Sequence, residues 1–224
     1  MDKYAQNRIF TKSEMSKIRS SRVCIVGCGG LGGYVLEMLA RLGMAEITIV
    51  DADRLEESNL NRQILANEKN LGKYKVEVAQ ERISRVNSQV RIKAIRQFLT
   101  QENAAEILGG NDLIIDALDN IETRKILAHA CDEAKIVFVH AAIAGWYGQI
   151  STIFPGDNTL QKIYRSKQDF GIETAIGNPS FTPALLASLQ VAEAIKILLG
   201  KANTLRHKLL HIDLLDTDFE LLEF

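Results

Sequence analysis

The sequence predicts an α/β protein with a Rossmann-like, doubly wound and mostly parallel sheet that ends in antiparallel C-terminal strands. Short apolar runs alternate with segments of helical periodicity along the 224 residues, a pattern typical of strand–helix–strand units. The first run ends in a glycine-rich turn, and acidic residues follow two of the runs, where open parallel sheets bind their ligands. No repeat, linker or low-complexity tract interrupts this order. We therefore expect a single domain over residues 1–224.

The first half of the chain is expected to form three helices and three extended segments. The helix after the glycine-rich turn has apolar residues at core spacing and a glycine stop, namely Val35, Leu36, Leu39, Leu42 and Gly43. The predicted helices cover residues 12–20, 32–42 and 73–86, and the predicted strands cover residues 22–27, 46–51 and 90–98.

The second half is expected to continue the sheet and then to close it. Predicted strands cover residues 113–116, 136–140 and 149–154, with a helix over residues 123–134. Residues 155–181 show little periodicity, and such a long irregular connection in a compact domain is usually functional. Thr182 and Pro183 are expected to be the N-cap and first residue of an apolar helix that ends at Gly200. Two antiparallel strands, over residues 207–213 and 219–224, are expected to complete the sheet.

Charge and composition argue against several classes of protein. Lys plus Arg number 27 against 28 Asp plus Glu, so the chain has no electrostatic signature for nucleic acid or for a membrane surface. The N-terminus is polar and no uninterrupted apolar run reaches the length of a membrane span, which predicts a cytoplasmic location. The cysteines do not form a disulfide or zinc pattern, and we expect all three to pack in the interior: Cys24, Cys28 and Cys131.

The glycine-rich turn after the first strand predicts a phosphate site. Gly27, Gly29 and Gly32 fit the G-x-G-x-x-G pattern, in which backbone N–H groups at a helix N-terminus approach a phosphate. Asp51 follows at the end of the next strand, roughly twenty residues on, where a carboxylate accepts the ribose hydroxyls. These features alone would also suit a nicotinamide dinucleotide.

The residues that come after Asp51 favour ATP. Asn59, Arg62 and Gln63 lie in one loop, and Lys75 follows shortly afterwards. Hydrogen-bond donors and cations at this place suit a triphosphate, because they neutralise its oxygens. A nicotinamide site would leave them without a task.

Several stretches of the chain resemble the ThiF/MoeB/HesA family, the bacterial relatives of ubiquitin-activating enzymes. The resemblance covers nearly the whole chain, and the matching stretches are residues 27–32, 51–53, 58–63, 71–75, 116–120, 123–124 and 145–149. It implies ATP- and Mg²⁺-dependent adenylation of the C-terminal carboxylate of a small ubiquitin-like sulfur carrier protein that ends in Gly-Gly. Pyrophosphate would be the leaving group, and no nucleophile from the protein is needed.

The resemblance also implies roles for single residues. Asp51 matches the ribose-binding acid, and Asp119 matches the carboxylate associated with Mg²⁺, with Asn120 as the alternative to Asp119 for capping the following helix. The implied catalytic residues are Arg62, Lys75, Asp119 and Arg8. The implied nucleotide-binding residues are Gly27, Gly29, Gly30, Gly32, Asp51, Asp53, Asn59, Arg62, Gln63 and Lys75. Lys73 and Arg124 are expected to be surface or structural charges.

Two departures from the family pattern narrow this expectation. Members often carry two C-x-x-C pairs for zinc, and this chain has neither pair, so we expect no structural zinc. Some relatives use a cysteine in the crossover loop to join the carrier covalently, whereas this chain has Ile172 near that position. We therefore expect the acyl-adenylate to pass to a separate sulfur donor. The groove for the carrier tail is expected between residues 155–181 and 145–149.

The N-terminus carries a further expectation about assembly. The family often has an arginine there that reaches the ATP of the partner subunit, and Arg8 is the residue of this chain that could match it in a shifted register. With this role, the active unit would be a homodimer.

Other functions remain open at this point. One is ATP-dependent dehydration of threonylcarbamoyladenosine in tRNA by an enzyme of the same fold, which the missing basic surface disfavours. A less favoured one is an NAD-dependent oxidoreductase that uses the glycine-rich turn. A scaffold that has kept the fold but lost turnover is the last, and the retained phosphate and metal residues argue against it. The sequence does not name the carrier protein, nor whether the pathway is of the thiamine-thiazole or the molybdopterin type.

Overall fold

The computed structural model describes residues 3–165 and 176–224. In this part of the chain the helices are α1 (Lys12–Ser20), α2 (Gly30–Leu42), α3 (Lys75–Val86), α4 (Gln101–Leu108), α5 (Ile121–Ala134), α6 (Thr159–Ile163) and α7 (Phe181–Leu199). The strands are β1 (Arg22–Val26), β2 (Glu46–Val50), β3 (Arg91–Ile95), β4 (Leu113–Asp116), β5 (Phe138–Ala144), β6 (Tyr147–Ile153), β7 (Lys208–Asp213) and β8 (Asp218–Glu223).

The eight strands form one mixed sheet in the order β3-β2-β1-β4-β5-β6-β7-β8. Strands β3, β2, β1, β4 and β5 are parallel, and β6, β7 and β8 are added antiparallel at one edge. The strand order reverses beside β1, so the carboxyl ends of β1 and β4 border a crevice, the place where open α/β sheets bind ligands. The predicted Rossmann-like fold with antiparallel C-terminal strands is confirmed.

Alternating side chains of the strands divide the core into two layers. On one face Ile25, Ile49 and Ile115 pack with α2 and α7 in the larger cluster. On the other face Val26 and Phe138 belong to the smaller cluster, which includes α4 and α5. The central parallel strands are therefore buried on both sides, as their near-continuous apolar sequences require.

Helix ends are fixed by local chemistry that the sequence displays. Thr11 and Glu14 form a reciprocal capping box at the start of α1. Gly43, with φ of 88°, ends α2 in the left-handed conformation. The Asn120 side chain accepts the backbone N–H of Thr123 at 2.8 Å and caps α5. Asn120, not Asp119, is thus the N-cap, which leaves the Asp119 carboxylate available.

Four sequence predictions need correction. Helix α7 begins at Phe181 with Ser180 as N-cap, because Thr182 donates its hydroxyl to the Gly145 carbonyl instead of capping. The extended run predicted over residues 90–98 is shorter, and α4 after it was missed. Strand β5 continues past His140 to Ala144, since it pairs along its whole length with β6. The connection predicted as irregular over residues 155–181 contains α6, and its residues 166–175 lie outside the described part.

Helix α7 is long and apolar enough to cross a membrane by length and composition alone. More than half of its most apolar window is buried inside the protein. It packs on α2, on α1 and on the β4, β5 and β6 strands. Its apolar surface is therefore accounted for as a core helix of the sheet.

Candidate active site

A cleft of about 370 Å³ opens at the carboxyl ends of β1, β2 and β4. Nine of the ten nucleotide-binding residues expected from the sequence line it, together with Asp119: Gly27, Gly29, Gly30, Asp51, Asp53, Asn59, Arg62, Gln63 and Lys75. Gly32 is absent from the lining. The fold thus brings most of the predicted set together around one cavity.

The glycines of the turn are required by close backbone contacts. Gly27 has φ of +101°, and a Cβ there would lie 2.3 Å from the carbonyl oxygen of Ala117 on the neighbouring strand end. A Cβ on Gly32 would lie 1.9 Å from the carbonyl oxygen of Gly27. Gly32 therefore allows α2 to pack closely against the backbone of the turn. Gly29 and Gly30 instead border the cavity at the N-terminus of α2. That N-terminus carries free N–H groups and the positive end of the helix dipole, so it suits an anion.

Asp51 is anchored at the end of β2 by backbone donors. Its Oδ2 accepts the N–H of Cys28 at 2.7 Å, and its Oδ1 accepts the N–H of Asp53 at 2.8 Å. Burial raises the pKa of this carboxyl above its usual value, although Lys75 and the two backbone donors oppose the shift. The carboxylate is thus held rigidly at the cleft wall, oriented as an acceptor for hydroxyl groups.

Lys75 brings a buried positive charge to the same wall. Its side chain is only 9% exposed, and Nζ lies 2.7 Å from Asp53 Oδ2 and 3.9 Å from Asp51 Oδ2. Lys75 is the first residue of α3, and its backbone N–H donates to the Asp53 carbonyl at 3.0 Å. The ammonium is therefore positioned by both its backbone and its carboxylate partners.

The loop before Lys75 supplies amides and a guanidinium. Asn59 is buried and its Oδ1 accepts the N–H of Glu56 at 3.1 Å, so this residue also holds the loop together. Arg62 is half-buried and donates from Nη1 to the Ser58 carbonyl and to Asn61 Oδ1, both at 2.9 Å. Gln63 is 5% exposed, and its buried Oε1 has no partner among the described residues. An unpaired buried acceptor at a cavity wall indicates a place for a ligand donor.

Asp119 lies in the turn between β4 and α5, with an exposed carboxylate that faces the cleft. No cluster of three His, Cys, Asp or Glu side chains occurs within residues 3–165 and 176–224. This donor set does not fit a cage made only of protein ligands. It fits Mg²⁺ carried in on phosphates, since such an ion keeps several waters and needs one or two carboxylates.

One expected catalytic residue does not line the cleft. Arg8 is exposed near the N-terminus, where its Nε donates to the Ala5 carbonyl at 3.1 Å, and it does not line the cleft of its own subunit. Ile172 lies outside the described residues. All three cysteines are buried, as expected, and burial raises the pKa of the Cys24 thiol to about 12.

Several cleft residues were not singled out from the sequence. Arg54 and Asn178 line the cavity, as does Phe98, whose side chain is 65% exposed. Arg124, expected to be a surface or structural charge, is buried at the cleft wall with Nε 3.5 Å from Asp116 Oδ2. The sequence predicts one strand over residues 90–98, whereas β3 ends at Ile95 and Phe98 lies in the segment after it. For Asn178, the connection before α7 gave no periodic signal.

Behind Arg124, Asp116 and His140 are completely buried and joined by a contact of 2.7 Å from Asp116 Oδ2 to His140 Nδ1. Burial lowers the pKa of His140, although the hydrogen bond to Asp116 and the charge of Asp116 act to raise this pKa. His140 is therefore neutral near pH 7, and Asp116 holds it through Nδ1–H.

A glycine-rich turn at a helix N-terminus, an acid at the next strand end and a buried cation beside it define a nucleotide-binding α/β protein of Rossmann type. The profile of the ThiF family matches residues 2–224, and the chain belongs to this family. Curated relatives named as adenylyltransferases match most of its length, and it is an ATP-dependent adenylyltransferase.

Two relatives and one solved structure illustrate what the chain is similar to. The sulfur carrier protein adenylyltransferase of Thermus thermophilus is 32% identical over 98% of this chain and 85% of its own length. The tRNA threonylcarbamoyladenosine dehydratase of Haemophilus influenzae is 35% identical over 65% of this chain, which spans 58% of that protein. The crystal structure of Escherichia coli MccB with ATP superposes with a TM-score of 0.84 at 20% identity, covering 99% of this chain and 71% of that one. This structural likeness supports the fold.

Proposed function

We propose that this protein adenylates the C-terminal Gly-Gly carboxylate of a ubiquitin-like sulfur carrier protein, in a pathway of the thiamine-thiazole or molybdopterin type. The observation that carries the proposal is the buried Lys75 ammonium in a cleft that also contains Arg62 and the N-terminus of α2. Three sources of positive charge around one cavity suit a triphosphate. The relative in Thermus thermophilus, named for a sulfur carrier protein, supports the substrate class.

The proposed reaction needs charge neutralisation more than covalent catalysis. A carboxylate oxygen of the carrier forms a bond to the α-phosphorus, and the bond from that phosphorus to the pyrophosphate oxygen breaks. Negative charge then accumulates on both sides of the phosphorus, so cations fixed around it lower the barrier. We assign this task to Lys75 and Arg62, the latter through its planar fork of N–H donors.

Binding of the nucleotide is assigned to the remaining residues. Asp51 accepts the ribose hydroxyls, while the backbone of Gly27, Gly29 and Gly30 borders the phosphates. Asn59 and Gln63 offer amide groups to the phosphates or to the acyl group. Asp53 pairs with the Lys75 ammonium and holds it in place before ATP binds. The phosphates then replace Asp53 as the partner of Lys75.

Mg²⁺ is assigned to Asp119, with phosphate oxygens and water as its other ligands. The ion would supply charge neutralisation at the phosphates. Asp119 suits this role because its carboxylate is exposed to the cleft while Asn120 caps the helix.

Further parts of the proposal concern partners and assembly. We propose that the carrier tail reaches the cleft between residues 145–149 and the connection before α7, and that a separate sulfur donor takes the acyl-adenylate. We also propose a cytoplasmic homodimer in which Arg8 completes the phosphate site of the partner subunit. These points rest on the family resemblance and on the exposed position of Arg8.

The test is carrier-stimulated exchange between ATP and labelled pyrophosphate. Carriers ending in Gly-Gly from the same genome should stimulate exchange, and a carrier lacking the last glycine should not. Arg62→Ala should lower the rate about 100-fold, as loss of a charge-stabilising donor typically does. Absence of exchange with every Gly-Gly carrier would contradict the proposal.

The second candidate is ATP-dependent dehydration of threonylcarbamoyladenosine in tRNA. It is favoured by the identity of 35% to the Haemophilus influenzae dehydratase over part of the chain. A net charge of −1 counts against a large polyanionic substrate. ATP consumption that depends on modified tRNA, without carrier-dependent exchange, would favour this candidate.

A further inference from the structure

A chain of polar side chains runs beneath the cleft and out to the end of α6. The His140 ring lies between Asp116 and Tyr164: Nδ1 is 2.7 Å from Asp116 Oδ2, and Nε2 is 3.2 Å from the Tyr164 hydroxyl oxygen. The two rings meet edge to face, with centroids 5.5 Å apart. Tyr164 is the C-cap residue of α6 and lines a second cavity, of about 410 Å³, separate from the nucleotide cleft.

The direction of each hydrogen bond in this chain follows from the donors available. A carboxylate only accepts, so His140 must carry its proton on Nδ1 and donate it to Asp116. The neutral ring then accepts at Nε2, and Tyr164 must donate its hydroxyl proton there. The Tyr164 oxygen in turn accepts from Arg124 Nη1 at 3.0 Å and from Gln149 Nε2 at 3.3 Å.

The same side chains hold the turn that carries Asp119. The N–H of Leu118 donates to Asp116 Oδ1 at 3.0 Å, and the Leu118 carbonyl accepts from Arg124 Nη2. Both peptide groups of Leu118 are therefore fixed by the buried network. Asp119 is the next residue, and from the part of the chain that the structure describes its exposed carboxylate receives only a long hydrogen bond of 3.4 Å, donated by Asn120. The position of that carboxylate is thus set by the backbone of the turn.

We propose that Tyr164, acting through His140, Asp116 and Arg124, is a positioning residue for the Asp119 carboxylate. The proposal rests on the proposed function, in which Asp119 binds Mg²⁺ on the phosphates. Loss of the Tyr164 hydroxyl removes the donor to His140 and the acceptor for Arg124 in one step, while the ring can still fill its place. The turn then loses the restraint that holds Asp119 toward the phosphates.

A purely stabilising role makes a different prediction. If Tyr164 only stabilised the fold, its loss would lower the melting temperature. The benefit that Mg²⁺ gives to ATP binding would then be unchanged in the folded protein. We therefore measure ATP affinity by calorimetry in the presence of Mg²⁺ and again in EDTA. The ratio of the two affinities reports the metal-dependent part alone, without any need for turnover or a carrier.

The matched variants are Tyr164→Phe, His140→Asn and the double variant. In His140→Asn the amide nitrogen can replace Nδ1 toward Asp116, but nothing replaces Nε2 as the acceptor for Tyr164. Each single variant should reduce the Mg²⁺-dependent gain in affinity about tenfold, the scale of one buried hydrogen bond in a charged network. The affinity in EDTA should stay within about twofold, and the double variant should add little because both changes break one chain.

Tyr34→Phe is the control, because Tyr34 packs against the core on α2 and does not line the cleft. It should keep the full Mg²⁺-dependent gain. A gain that Tyr164→Phe leaves unchanged overturns the proposal.

A second measurement reads the tautomer of His140 in the wild-type protein. Nitrogen-15 NMR of the wild-type protein should show His140 as the neutral tautomer protonated on Nδ1, the less common form in solution, with the signal assigned by its loss in His140→Asn. A ring protonated on Nε2 alone would overturn the proposed role of Tyr164, because it could not accept the tyrosine proton. If Mg²⁺ does not increase the ATP affinity of the wild-type protein, the proposed function itself is refuted. If Mg²⁺ increases the ATP affinity of the wild-type protein and of Tyr164→Phe equally, only the positioning role of Tyr164 is refuted.

Discussion

The Nζ atom of Lys75 lies 2.7 Å from Oδ2 of Asp53, and this ion pair forms part of the cleft wall. The lysine side chain is nearly buried, whereas that of Asp53 is half exposed. A phosphate entering the cleft can therefore approach the ammonium and take the place of Asp53. The pair orients the charge that the proposed reaction needs.

Lys75→Ala should lower carrier-dependent exchange at least about 100-fold, because it removes a cation from the phosphates in a partly desolvated site. It should also destabilise the protein by about 1–3 kcal/mol, since the buried Asp51 and the half-exposed Asp53 lose their counter-charge. Exchange kinetics and urea unfolding measure the two effects. Lys73→Ala is the matched control, because Lys73 is exposed and 3.9 Å from Glu81, a pair of little energetic weight. Equal losses in both variants would argue against a phosphate role for Lys75.

Asp119 and Asn120 are adjacent but should give opposite results. Asp119→Asn should abolish Mg²⁺-dependent exchange while leaving the melting temperature unchanged, because its side chain is exposed. Asn120→Ala should cost about 1 kcal/mol of stability through the lost N-cap and should retain most exchange. Calorimetry and exchange rates distinguish the two. A stable Asp119→Asn variant with normal exchange would remove Asp119 from the site.

Gly32 and Gly30 form another contrasting pair in α2. Gly32→Ala would place a Cβ 1.9 Å from the Gly27 carbonyl oxygen, so the turn must move. We expect a loss of about 1–3 kcal/mol, the scale of overpacking, together with weaker ATP binding. In Gly30→Ala the nearest atom is Pro183 Cβ at 3.5 Å, an ordinary contact. Its stability should stay within about 1 kcal/mol of wild type, since Ala is the better helix former. Similar stability of the two variants in urea titrations would contradict this explanation.

Protonation of His140 should produce a pH dependence of stability. The pKa of His140 in the folded protein is lowered by burial below its unfolded value of about 6.5. As the pH falls below that value, the unfolded chain binds a proton before the folded protein does, so the free energy of unfolding should decline. The stabilisation is present above pH 6.5 and is lost as the pH falls toward the folded pKa. Urea titrations from pH 7.5 to 5 should show this slope, and His140→Asn should flatten it. Carboxyls whose pKa is lowered, such as Glu37 and Asp157, act in a more acidic range.

Arg8 can be tested by subunit mixing. Arg8→Ala and Lys75→Ala should each be inactive alone if Arg8 acts across a dimer. After subunit exchange at equal amounts, about a quarter of the sites should be intact, because half of the dimers are mixed and each contains one complete site. Exchange assays and light scattering provide the measurement. Recovery should be absent if Arg8 is replaced in both variants, and lack of recovery in the first mixture would contradict the shared site.

The order of elements could be predicted from the sequence because most of the strands and helices have strong patterns of their own. Helix α1, for example, begins and ends as predicted at Lys12 and Ser20, since its capping box is local. Helix α4 was missed because it is short. The start of α7 was wrong because Thr182 bonds the distant Gly145 carbonyl. The errors therefore arose from a short element with a weak pattern and from a contact remote in sequence that decided the local structure.

The sequence by itself determined the residues of the nucleotide turn, the acid after β2 and the cations that follow, because their spacing along the chain is what the chemistry of a phosphate site requires. Only the tertiary structure decided that Gly32 supports the turn from below, that Arg124 is buried beside Asp116, and that Tyr164 reaches His140. These contacts depend on the alignment of turns, helices and strand ends that the sheet imposes, whether the residues are near in sequence, as Gly27 and Gly32 are, or distant, as His140 and Tyr164 are. Burial and hydrogen-bond direction depend on that alignment, so no pattern along the chain could have revealed them.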